Sequence, residues 1–216
     1  MPVFGLVGTY YLRMNLPILY SYRRCPYAMR ARMALSYADI SVETREIALK
    51  DKPAHMLQVS PKGTVPVLVL ADGQVIDQSL DIMYWALRQR DVDGWLSADA
   101  VQSQQLIAEN DGAFKHNLDR YKYAIRFPEQ PAEYYRSAGE LFLAKLELRL
   151  QQSDFLFGDV VSLADNAIFP FIRQFAAVDH GWFETADYIK LKSWLQRLVT
   201  SALFERVMAK QPIHTD

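Results

Sequence analysis

Cys25 is the only cysteine in a chain of 216 residues, and it stands between two arginines and a proline, Arg23-Arg24-Cys25-Pro26. The short apolar run Ile18-Leu19-Tyr20-Ser21 before it reads as a buried strand, and Pro26 to Ala38 after it reads as a helix. Proline is favoured at the first helical position because its missing N–H would have no partner there anyway. Cys25 is therefore expected at the helix N-cap, where unpaired N–H groups and the positive end of the helix dipole point at the sulfur. Arg23 and Arg24 add two cations. Each of these features favours the thiolate, the nucleophilic form of cysteine. A lone cysteine is more often buried and inert, but the strand–helix junction, the proline and the arginines together turn the reading toward a reactive thiol.

Little else in the chain suggests chemistry. His55, His116, His180 and His214 are far apart, with no zinc-ligand spacing, so no metal is expected. There is no G-x-G-x-x-G and no P-loop, so nucleotide phosphate binding has no sequence handle. A net charge of −1 argues against a nucleic-acid binder that works by phosphate neutralisation. The apolar stretch Val65 to Ala71 is only seven residues, far short of the roughly 18 that a membrane span needs. One cysteine allows no internal disulfide, and a reducing compartment, most simply the cytoplasm, is the default. Arg120-Tyr121-Lys122-Tyr123 with Arg126 forms a basic, aromatic patch that reads mainly as helix surface and core.

The elements that must position Cys25 come from periodicity. In the helix Pro26 to Ala38, Ala31, Ala34, Leu35 and Ala38 share one face, with Arg30 and Arg32 off that stripe. Ser41 to Ile47 reads as a second strand, which makes a β-α-β unit with a parallel pair and a right-handed crossover. A short helical turn follows from Lys52-Pro53 to Leu57, then a turn at Ser60-Pro61-Lys62-Gly63 and an apolar strand from Val65 to Leu70. Asp72-Gly73 is a hairpin signal before Val75-Ile76, and a helix runs from Ser79 through Leu87. The order is β-α-β-α-β-β-α. Residues 1–16 read as an N-terminal extension, 17–88 as this α/β domain, 89–98 as a polar linker and 99–216 as an all-helical domain. Helices are expected near 99–124, 132–151, 162–178, 186–199 and 201–209, with stripes such as Leu141, Leu146 and Leu150 facing a bundle core.

The segment Leu19 to Leu35, LYSYRRCPYAMRARMAL, resembles the first strand and helix of the glutathione transferase superfamily, and its C-P-Y-A is similar to the cysteine-type, omega-like members and to glutaredoxins. Ala28 stands where glutaredoxins often carry a second cysteine, which implies a monothiol mechanism. Further along, Leu49-Lys50-Asp51-Lys52-Pro53 is similar to the segment that supplies a lysine to glutathione. Thr64-Val65-Pro66-Val67-Leu68 resembles the Val-Pro signature, and Asp77-Gln78-Ser79 resembles the acid/Gln-Ser signature at a helix start. Ser162-Leu163-Ala164-Asp165 resembles the family's capping box. The implied fold is a thioredoxin-like α/β domain followed by an all-α domain.

The resemblance implies glutathione as the substrate that serves in place of a cofactor. Val65 before a cis Pro66 would pair with the cysteinyl backbone of the tripeptide by strand addition. Ser79 and Gln78 would hold the γ-glutamyl end at a helix N-terminus, and Lys52 would meet the glycyl carboxylate. Tyr22, Tyr27 and Tyr121 are the candidates for a second-substrate site. The implied reaction is glutathione-dependent thiol transfer through a Cys25–glutathione mixed disulfide, with dehydroascorbate or mixed-disulfide reduction as typical cases. Two alternatives stay open: conjugation of glutathione to electrophiles, and a non-catalytic module of the same fold that serves a protein partner. The resemblance further implies a homodimer, with no nucleic-acid or membrane partner.

Overall fold

The computed structural model describes residues 16–215; the expected extension at 1–16 lies outside them except for Leu16. The chain forms two compact units, one taking the described residues through Arg90 together with those from Arg206 onward, the other Asp91–Glu205. The segment after Arg206 thus packs with the α/β unit, although its position in sequence follows the helices. His214 N–H donates to the Glu46 carbonyl at 2.7 Å, and Ile213 bridges the same residue in parallel.

The α/β unit is a four-stranded sheet in the order β2-β1-β3-β4, built from β1 (Ile18–Ser21), β2 (Glu43–Glu46), β3 (Val67–Val69) and β4 (Val75–Ile76). β1 pairs with β2 in parallel, as the β-α-β reading requires, and with β3 antiparallel. β3 and β4 form the hairpin expected at Asp72-Gly73. Helices α1 (Pro26–Tyr37), α2 (Ala54–Val59) and α3 (Ser79–Gln89) complete the unit, and α1 packs against α3. Side chains alternate across the sheet: Tyr20 and Val67 join Ile47 and Met56 of the α2 side in one apolar cluster, while Leu19 and Leu68, both fully buried, take the opposite face.

One expectation about faces is corrected and another is extended. Arg30 and Arg32 lie off the apolar stripe of α1 and are nevertheless buried, at 2% and 8% exposed. α1 is enclosed nearly all round, so small alanines leave room and the arginines carry their charge to internal acceptors. Leu141, expected in a core stripe, is 76% exposed; Leu143, Leu146 and Leu150 face inward instead, along with Phe142.

The second unit is helical: α4 (Ala100–Glu109), a π-turn (Asn110–Phe114), α5 (Lys115–Lys122), a 3₁₀ turn (Ala124–Arg126), α6 (Ala132–Leu150), α7 (Leu163–Ala176), α8 (His180–Thr185) and α9 (Ile189–Val199); α10 (Ala202–Val207) spans the boundary to the first unit. The single helix expected over 99–124 is divided by the π-turn, which adds a residue to the helical path. At Gly139, α6 comes so close to α7 that a Cβ there would lie 2.6 Å from a ring carbon of Phe175.

α7 is set by a capping box. Ser162 accepts from the Asp165 N–H, and Asp165 accepts from the Ser162 N–H at 2.8 Å and hydroxyl at 2.6 Å. The other carboxylate oxygen accepts from the Leu156 N–H at 2.9 Å and the Trp194 indole N–H at 2.8 Å. Burial pushes the Asp165 carboxyl above its usual range, and these donors pull the other way. Asp165→Asn would set an amide N–H₂ against donors that need an acceptor. The expected outcome is a loss of about 2–4 kcal/mol in stability, read from urea unfolding midpoints at unchanged slope.

Candidate thiol site

The antiparallel register places Tyr20 opposite Val67. The turn that leaves β1 therefore meets the residues that enter β3. Cys25 N–H donates to the Tyr22 carbonyl at 3.0 Å, and the Cys25 carbonyl accepts from Met29 N–H at 2.9 Å, so Cys25 is the N-cap of α1 with Pro26 first in the helix. Its side chain makes no capping hydrogen bond. The half-buried Sγ instead lies 3.8 Å from the carbonyl oxygen of Val65, within a weak S–H contact. The Val65–Pro66 bond is cis. Cys25 and Val65, separated by 40 residues, thus form one patch with Pro66 beside them.

Gln78 is the N-cap of α3 and Ser79 its first residue. Ser79 is only 5% exposed, and its hydroxyl accepts from Arg30 Nε at 2.9 Å. The packing of α1 on α3 is what lets Arg30 reach it, and the same guanidinium lies 4.9 Å over the Tyr27 ring. Asp77, just before, accepts from the Ser60 hydroxyl at 2.7 Å and pairs with Lys62 at 3.1 Å. The Ser60 bond, with Lys62 behind it, holds the Asp77 carboxyl below the usual range. Lys52 runs over Gly63, whose φ of +62° few other residues adopt: a Cβ there would come within 3.5 Å of Nζ.

The arginines differ from expectation in their roles. Arg24 turns away to the Tyr22 hydroxyl, at 2.8 Å from Nη2 and 3.1 Å from Nε. Arg23 meets Glu46 through its backbone N–H at 2.7 Å. Arg32 is a buried cation whose charge is coupled to Cys25. Sequence reasoning misses it as an off-stripe charge. The available signal is spacing: Arg32 follows Cys25 by two helical turns, and helical side chains lean back toward the N-terminus. Arg30 is missed in the same way.

Tyr22 is half-buried against the α2-side core, and Tyr27 lies under Arg30. Tyr121 belongs to the helical unit, 6% exposed and packed 5.1 Å from the Phe175 ring; burial pushes its phenol upward. Among the described residues no group of three or more His, Cys, Asp or Glu side chains could hold a metal, and no helix is long and apolar enough to cross a membrane.

Comparison with known proteins agrees with this geometry. The glutathione S-transferase N-terminal domain model matches residues 19–93, and the C-terminal domain model matches residues 132–197. Mouse glutathione S-transferase omega-1 is 27% identical over 90% of this chain and 77% of its own length. Mouse glutathione S-transferase omega-2 is 27% identical over 92% of this chain and 78% of its own. In fold, the chain is similar to a Phanerochaete chrysosporium glutathione transferase in complex with oxidized glutathione, with a TM-score of 0.77, 17% identity, and 89% and 94% of the two chains covered. A thioredoxin-like unit that carries a thiol at a helix start beside a Val–Pro turn, followed by a helical unit and matched in both by the same family, makes this chain a member of the glutathione S-transferase family.

Proposed function

We propose that this protein is a glutathione-dependent thiol transferase with Cys25 as its nucleophile. The observation that carries the reading is the contact between Cys25 Sγ at the start of α1 and the Val65 carbonyl beside Pro66. A thiolate at that point lies next to an open backbone segment with which the cysteinyl part of glutathione can pair as an added strand. Ser79 and Gln78, at the N-terminus of the eleven-residue α3, suit the γ-glutamyl carboxylate. Lys52 suits the glycyl carboxylate. The Cys25 thiolate attacks the glutathionyl sulfur of a mixed disulfide, forms Cys25–S–S–glutathione and releases the substrate thiolate. A second glutathione thiolate then attacks that bond, frees Cys25 and leaves as glutathione disulfide. Dehydroascorbate reduction is the corresponding small-molecule reaction. A reducing compartment such as the cytoplasm supplies the thiol this cycle consumes.

Conjugation needs a hydroxyl free to stabilise the glutathione thiolate. The three hydroxyls just before Cys25 are each held by a neighbouring side chain, Ser21 and Tyr22 as acceptors only. Tyr20 is bound to His55 at 2.7 Å and Arg45 at 2.9 Å, Ser21 to Arg32 at 2.5 Å, and Tyr22 to Arg24 at 2.8 Å. It is the Cys25 thiol at the helix start that contacts Val65, and this favours thiol exchange.

Four measurements test the proposal. After exposure to glutathione disulfide, intact-mass spectrometry should find one added glutathione, located by peptide mapping at Cys25. Cys25→Ser should abolish thiol transfer and retain glutathione binding; transfer that persists in Cys25→Ser defeats the assignment, and binding without any turnover in the unaltered protein points to a non-catalytic module. Lys52→Ala should weaken glutathione binding by about 1–3 kcal/mol in titration calorimetry, the range for a charge-assisted contact; Ser79→Ala should do the same with an added stability loss, because it also removes the acceptor of the Arg30 Nε–H. Finally, light scattering should give a homodimer mass, twice the 24.9 kDa of the chain; a clean monomer would rule the dimer out.

A further inference from the structure

We propose that Arg32 is a positioning residue for Cys25: its buried guanidinium holds the turn that presents the thiol and supplies the fixed positive charge that the thiolate faces. The inference rests on the reading of Cys25 as the nucleophile. The geometry is that of a completely committed side chain. Nη1 donates to the Ser21 hydroxyl at 2.5 Å and the Tyr22 carbonyl at 3.4 Å. Nη2 donates to the Arg23 carbonyl at 2.9 Å and to Met208 Sδ at 3.7 Å, and Nε donates to the Val207 carbonyl at 3.1 Å. All five donors of the guanidinium are used. Three of the acceptors belong to the residues that run from the end of β1 toward Cys25. The other two belong to the C-terminal segment, which packs against the arginine.

The acceptors are neutral, so hydrogen bonds satisfy the donors without cancelling the charge. The ionisable groups around it are few. Burial lowers Arg32 to about 10, Glu46 of β2 and Cys25 oppose that shift, and Arg23 adds to it. At neutral pH Arg32 remains a cation. A cavity of about 300 Å³ on this side of the unit is lined by Arg32 with Arg23, Glu46, Asp39 and Arg206. Glu46 also accepts the Arg23 N–H at 2.7 Å, and this half-buried acid competes with the thiolate for the charge. The C-terminal segment and the thiol are therefore coupled through one side chain.

The test is the pH dependence of iodoacetamide alkylation at Cys25 in the full chain, which reads thiol acidity and not turnover. The unaltered protein should show a midpoint well below the ordinary cysteine value of roughly 8.5. Arg32→Met should raise that midpoint by about one pH unit, a tenfold loss of thiolate below it. Arg32→Lys, which keeps the charge and loses the fork, should fall between the two. Since Arg32→Met could fail to fold, the Arg32 Nε–H resonance of the unaltered protein should also move as Cys25 titrates, with the same midpoint as alkylation. A low midpoint that Arg32→Met leaves in place, or a resonance blind to the thiol, overturns this inference alone. An ordinary midpoint in the unaltered protein overturns the nucleophile reading and this inference with it.

Discussion

The antiparallel pairing of Ile18–Tyr20 with Val67–Val69 is the constraint on which the thiol site depends. A strand register cannot drift by one residue without sending its buried side chains to the wrong face. Here Tyr20 and Val67 enter one core and Leu19 and Leu68 the other, all with no exposed surface, so either slip would bury the wrong set on both sides. The register in turn fixes where β1 ends and β3 begins. What leaves one strand, the turn to Cys25, must then lie beside what enters the other, Val65 and Pro66. The chemistry sits at the strand ends because the sheet itself is filled with apolar side chains.

α1 has the harder task of starting at the site while lying wholly inside the unit. A helix enclosed on all sides usually carries no charge, since an unpaired buried ion costs far more than one helix contributes. Arg30 and Arg32 resolve this differently. Arg30 gives its Nε to the Ser79 hydroxyl and its face to Tyr27. Arg32 gives all its donors to a turn and to a returning C-terminal segment. In both cases the acceptors lie at places that are not regular structure or are just beginning it: the start of α3, the 21–24 turn, the chain at the end of α10. These are the points that helices and strands leave with unused backbone groups. The buried arginines thus tie the loose ends of the unit together, and the loose ends are where the thiol and its neighbours are.

Much of this is legible in the sequence, for local reasons. The strand–Cys–Pro–helix junction follows from short-range rules, and the structure has Cys25 at the N-cap with Pro26 first in the helix. The hairpin at Asp72-Gly73 and the capping box at Ser162 and Asp165 are also local, and both are present. The missed features are those that a single helix cannot show. Periodicity puts Arg30 and Arg32 off the apolar stripe but cannot show that a second helix and the C-terminal segment cover that side of α1 as well. It assigns Leu141 to a core for the converse reason: on α6 the face centred on Leu143, Leu146 and Leu150 is the one that is covered. The π-turn at Asn110–Phe114 carries no proline and only Gly112 as a break, so nothing in its composition separates it from ordinary helix. The return of residues beyond Arg206 to the α/β unit is a matter of tertiary hydrogen bonds, His214 to Glu46 and Arg32 to Val207, between positions remote in sequence.

The single cysteine sets the form of the proposed chemistry. A thiol that forms a disulfide can be released from inside the chain only by a second thiol close to it in the fold. Ala28 occupies the position one turn into α1 where such a partner would stand, and the chain has no other cysteine to offer. In the proposed cycle a mixed disulfide at Cys25 must therefore wait for a thiol from solution. The site then has two requirements that pull against each other: it must make the thiol acidic enough to keep Cys25 a thiolate, and it must leave the sulfur open to an incoming anion. A cation on the open side of the sulfur would meet the first and obstruct the second. In its proposed role Arg32 meets both, because every donor is given to the residues before Cys25 and to the C-terminal segment, so it acts through its charge and not by binding the sulfur.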